Sequence, residues 1–103
     1  MAPDTNHAAA TDAYSLVVRA EVASELLNSA RARLMERIYE IEGQHGTARS
    51  GEAGCLEACE RELFALQRSL DYRDNSHVEA VIARIGPLLK DEARFWAEMS
   101  PGI

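Results

Sequence analysis

Long hydrophobic runs are missing from this chain. Hydrophobic residues make up 47% of it, yet no stretch approaches the roughly 18 consecutive apolar residues that a membrane-spanning helix needs. Glycine and proline are scarce, at 6 and 3 among 103 residues. Four of the glycines (Gly43, Gly46, Gly51 and Gly54) lie close together. Breakers this few and this clustered exclude a fold of many short strands and turns, and they leave room for a few long helices. Two cysteines do not make a disulfide framework. Residues 1–11 carry neither the basic start nor the apolar stretch of a secretory signal. A cytoplasmic chain with reduced thiols and no membrane attachment is therefore expected.

Positive charge is also in short supply. Eleven Lys and Arg stand against 17 Asp and Glu, for a formal net charge of −6. Nucleic-acid binding needs a stripe of basic side chains to neutralise phosphates, and the basic residues here are interspersed with acidic ones. The same balance disfavours an anchor on anionic lipid.

What the chain does have is helical periodicity. Residues 1–11 read as a disordered arm. From residue 12 to about 42 the apolar positions Leu16, Ala20, Ala23, Leu27, Ala30, Leu34, Ile38 and Ile41 recur at spacings of three and four. At 100° per residue they lie within about 40° of one line. Thr11 or Asp12 can cap the start, and Gly43 sits where a terminal glycine is expected. Residues 43–51 form a loop. A second helix over 52–73 carries Cys55 or Leu56, Cys59, Leu63, Leu66 and Leu70 on one side. After a turn at Asp74–Ser76, a capping box of Ser76 and Glu79 predicts a third helix over 76–99. Its stripe runs through Val78, Val81, Ile82, Ile85, Leu88, Leu89, Phe95, Trp96 and Met99. Pro87 interrupts that helix without shifting its apolar phase, so a kink is expected rather than a break. Residues 100–103 are a tail. The expected fold is all-α: a single domain forming an antiparallel three-helix bundle, with a long first helix and a Pro-kinked third helix.

The first helix is apolar on more than one side. Val18, Val22 and Leu26 follow one another at intervals of four, about 80° to 160° from the main line. Val17 and Met35 point a third way. Two companion helices from the same chain are too few to cover every flank. The three residues are therefore assigned to an interface with another chain, a two-fold homodimer being the commonest arrangement. Phe64, off the stripe of the second helix, joins them as an interface candidate, and Tyr14 and Tyr39 are further off-stripe aromatics.

Signals for chemistry are weak. Cys55 and Cys59 share a helical face, and His45 lies nearby, but a zinc site needs four ligands and the fourth is not evident. The plain alternative is a small core thiol at Cys59. His7, His45 and His77 are scattered. Glu92, between Leu89 and Trp96, is the one charge inside an apolar stripe. It is a candidate buried carboxylate, with Arg31, Arg33 or Arg37 as partner, against the plainer reading of a solvated or edge-paired glutamate. No nucleophile, second carboxylate or metal set accompanies it, so no catalytic residue, cofactor or metal is assigned.

These observations point to a small acidic protein-interaction module without catalytic activity: an adaptor, a chaperone, or a neutraliser of a basic partner protein. Two alternatives are weighed beside it. One is a DNA-binding regulator using helix 2, turn and helix 3. The other is a small metal or thiol protein using Cys55 and Cys59.

Overall fold

The chain is all-helical. A computed structural model describes the backbone of residues 2–45 and 51–99, and the side chains of 13–43 and 51–99. Four helices follow one another: α1 (Ala2–His45), α2 (Gly51–Arg68), α3 (Asn75–Leu89) and α4 (Glu92–Met99). There is no strand among the described residues. Forty-four residues at about 1.5 Å each make α1 about 66 Å long, and the molecule measures 65 × 22 × 18 Å. One helix therefore sets its length.

The inward stripe of α1 forms the spine of the core. Ala23, Leu27, Ala30, Leu34, Ile38 and Ile41 are buried. Against them lie Ala53, Leu56 and Leu63 of α2, Val78, Val81, Ile85 and Leu88 of α3, and Phe95 and Met99 of α4. The alternation of Ala and Leu on α1 brings the companion backbones close at the alanines while the leucines fill the space between. No polar or charged residue is buried among those described.

Pairs across the helices give their course. Ser24 meets Gln67, Arg31 meets Glu60 and Arg37 meets Glu52, so α2 runs back along α1. Arg19 meets Glu79 and Arg33 reaches the Leu89 carbonyl, so α3 runs in the direction of α1. Both α2 and α3 pack on α1, while α4 packs on α3 and α2. α2 ends near Ser24 and α3 begins near Arg19, so the first turns of α1 extend beyond both.

Several element boundaries differ from expectation, each for a local reason. α1 begins at Ala2, and the segment expected as an arm falls within it from residue 2. Pro3 sits in the first turn, where no amide donor is needed, and Ala8 to Ala10 are the strongest helix formers. α1 also passes Gly43 and ends at His45. α2 ends at Arg68, five residues short of the expected 73, because Ser69 folds its hydroxyl onto the Leu66 carbonyl at 2.7 Å. The cap of α3 is Asp74, not the Ser76–Glu79 box. The Asp74 carboxylate accepts from the His77 amide at 3.3 Å, and Glu79 is drawn away to Arg19.

The third helix is not one kinked rod. Pro87 lies inside α3, and the helix continues to Leu89 before stopping. Gly86 helps here, since a residue without Cβ relieves the clash that proline imposes on its predecessor in helical conformation. The interruption comes at Lys90–Asp91. There the Asp91 carboxylate accepts from the Arg94 amide at 3.1 Å and its carbonyl from the Phe95 amide at 2.9 Å. Asp91 thus caps a new helix. The side chains of His7, Thr11, Asp12 and His45, the loop 46–50 and the tail 100–103 lie outside the described residues.

Candidate protein-docking face

The expected interface residues on α1 come together in a shallow depression of about 430 Å³ lined by Val18, Val22 and Leu26, with Glu21 and Glu25 beside them. Val18 and Val22 are 36% and 37% exposed. Leu26 is half-buried and packs against the core, and its Cδ1 lies 3.9 Å from where a Cβ on Gly86 would stand. Leu26 thus forms the floor on the α3 side, and the valines form the open part. Tyr14, at 72% exposure, lies one turn before Val18, and Tyr39, at 64%, borders a separate cleft with Glu60 and Arg61 of α2.

Phe64 is not part of this face. It projects from α2 beneath the Arg31 guanidinium, 4.3 Å from its ring centre, with Arg68 at 5.7 Å. The two cations lie over the ring, and 42% of Phe64 remains exposed.

The flanks of α1 hold its arginines. Arg31 donates to Glu60 and Gln67, both at 2.8 Å. Arg33 donates to the Leu89 carbonyl at 2.7 Å and lies over Phe95, so it satisfies the end of α3 while roofing α4. Arg37 pairs with Glu52 and Glu40 at 3.3 Å. Arg19 clasps Glu79 through two hydrogen bonds of 2.7 Å, which holds the Glu79 carboxyl below its ordinary range. Every α1 arginine is thus engaged by α2, α3 or α4. By contrast, Glu21, Glu25 and Glu36 are exposed and make no ion pair among the described residues. Sequence reading missed this division, although the angular positions of these residues along α1 carry it.

Glu92 is exposed, so of its two readings the solvated glutamate stands and the candidate buried carboxylate does not. The new helix start at Asp91 resets the phase, so α4 buries Phe95 and Met99 and leaves Glu92 in its solvated first turn. It borders an open cleft that also touches Arg33, Glu36 and Trp96, and it makes no ion pair among the described residues.

The cysteines divide as well. Cys55 is exposed and Cys59 half-buried. The Cys59 thiol donates to the Met99 carbonyl at 3.0 Å, and burial pushes its pKa up, which favours the protonated thiol over the thiolate that metals and redox chemistry require. Among the described residues, no three His, Cys, Asp or Glu side chains stand together as a metal set. No helix among them is long and apolar enough to cross a membrane.

The chain matches no protein-family model, no curated protein and no solved structure. The reading of function therefore rests on this geometry.

Proposed function

We propose that this protein is a non-catalytic interaction module, an adaptor, chaperone or neutraliser, whose working surface is the outward face of α1. One observation carries the reading. The side of α1 turned away from its own companions presents Val18 and Val22 in an open depression, framed by Glu21 and Glu25, which make no ion pair among the described residues. Solvated helix faces are normally polar, and an apolar strip within a charged frame is the composition of a contact site. The finer architecture belongs to the same proposal: α1, α2 and α3 form an up-down-up bundle that presents this face as a rigid rod.

The test is a pair of baits. Wild-type protein and Val22→Glu are compared for folded stability and for the proteins each retains from an extract of the source cells. The expected result is a stability change within about 0.5 kcal/mol, the usual range for surface positions, together with loss of a retained partner. A Val22→Glu protein that keeps the wild-type partners overturns the reading.

A further inference from the structure

We infer that the outward face of α1 receives a cationic amphipathic helix from another protein, and not a second copy of this chain. The inference rests on the interaction-module reading and narrows it to one class of partner.

The argument starts from where charge lies around α1. At 100° per residue, Val18, Val22, Glu25, Ser29, Glu36 and Glu40 all fall within about 40° of one line, opposite the buried stripe. Glu21 lies about 70° to one side. The arginines of α1 fall outside this sector, and each is held by another helix of the same chain. The outward face is therefore apolar at the valines and negative beside them at Glu21 and Glu25. Among the described residues, Glu40 is the one of these glutamates in an ion pair, with Arg37 at 3.3 Å; Glu36 shares an open cleft with Arg33 and Arg37, and Glu21 shares another with Arg68 and Arg73.

A second copy fits this face poorly. A two-fold axis near Val22 runs the two rods antiparallel and sets Glu21 of one beside Glu25 of the other. Parallel packing sets each glutamate beside its own duplicate. Like charges in contact oppose either arrangement, and neither Glu21 nor Glu25 is in an ion pair among the described residues that would relieve them. The expected homodimer thus meets repulsion at the very residues that frame its apolar centre.

A helix with an apolar seam flanked by Lys or Arg meets neither obstacle. Its apolar side chains at intervals of three and four enter the depression between Val18, Val22 and Leu26. Its cations reach Glu21 and Glu25 on one side and follow Glu36 and Glu40 along the rod. From Glu21 to Glu40 the track is about 28 Å long, the length of five helical turns. Tyr14, exposed one turn before Val18, offers a rigid amphipathic contact.

The experiment uses three labelled peptides of roughly 18 residues, about 27 Å when helical. One is an amphipathic Leu/Lys helix, one its Leu/Glu twin, and one a scrambled Leu/Lys peptide without an apolar seam. Binding to the full chain is followed by fluorescence anisotropy at low and moderate salt. The Leu/Lys helix is expected to bind, to weaken with salt, and to outcompete both others. Glu21→Gln/Glu25→Gln should weaken it about five-fold, corresponding to two surface charge pairs. Glu62→Gln/Glu98→Gln, an equal charge change on other helices, should leave it within about two-fold by the same measure. Equal binding of the Leu/Glu twin, or equal weakening by the control pair, overturns the cationic inference. The interaction reading survives that outcome if Val18→Ser/Val22→Ser still abolishes binding, and it falls too if no peptide responds to the valines. Solution mass supplies the remaining arm. A dimer that Glu21→Gln/Glu25→Gln strengthens gives the face to a second copy and overturns the inference.

Discussion

The two sides of α1 are built from the same helix and do opposite things. Inward, the side chains are small or branched aliphatics with essentially no exposure, and the arginines at their margins are bonded to α2, α3 and α4. Outward, valine, tyrosine and glutamate share the surface, and the glutamates around the valines make no ion pair among the described residues. The inward side closes its own account of charge and apolar area, and the outward side leaves both open. Energetic importance for folding and availability for binding therefore separate by angle around one rod.

The sharpest way to break this contrast is to truncate one side chain on each face. Leu34→Ala removes a side chain that is 0% exposed and leaves a cavity between α1 and its companions. A loss of about 2–5 kcal/mol is expected in denaturant unfolding. Val22→Ser, three turns away on the other face, should change stability by no more than about 0.5 kcal/mol. Comparable losses at both sites would mean that the outward valines are core, and the contrast would disappear.

The seam between the faces should respond less than the core and more than the surface. Arg31→Ala withdraws donors from Glu60 and Gln67 and uncovers Phe64. The side chains of Arg31 and Glu60 are 24% and 15% exposed, so solvent compensates the stranded acceptors only in part. A cost of about 2 kcal/mol is expected by thermal or urea unfolding. A neutral result would show that the α2 seam is solvated in the manner of an exposed ion pair.

Much of the inward half of this picture was legible from periodicity, and the outward half was legible only in part. Leu27, Leu34 and Ile38 announce a buried line because only a core rewards apolar residues at that interval. Val18 and Val22 were legible for the same reason, as a surplus that two companions do not cover. Phe64 was legible as an off-stripe, exposed aromatic, but periodicity records which way a residue points and not that Arg31 folds over it. The third helix was read as one kinked rod, with Glu92 as a candidate buried charge, because an unbroken apolar phase through Pro87 hid the helix start at Asp91. The cue was present in Lys90–Asp91–Glu92, an aspartate followed by an acidic first turn. It competes with the louder proline four residues earlier, which α3 accommodates beside Gly86. Ion pairing across helices leaves no mark in a single sequence, so the engagement of every α1 arginine emerged only with the fold.

That helix start is itself testable and weaker than the seam. Asp91→Ala removes the acceptor for the Arg94 amide and should cost about 1 kcal/mol, the usual value of a lost N-cap. Hydrogen exchange should locate the loss in α4 and spare α1. Pro87→Ala is the complementary change. It restores a backbone donor to α3 without removing the cap at Asp91, so α3 and α4 should remain two helices.

The smallest effect is expected where the chain's charges pair in open solvent. Arg19 holds the exposed Glu79 carboxylate, and Arg73 holds that of Asp71; both carboxyls titrate below their ordinary range because of the hydrogen bonds they accept. A depressed folded-state pKa contributes stability that is present above the unfolded value, near pH 4 for such groups, and is lost as pH falls through the lower folded value. Urea midpoints should therefore decline on acidification below about pH 4. Glu79→Gln should make that decline shallower, because one fewer proton is taken up when the chain unfolds in acid. An unchanged acid slope in Glu79→Gln would mean that the Arg19 clasp contributes nothing to linkage. The α3 flank would then be as electrostatically idle for folding as the outward face is proposed to be.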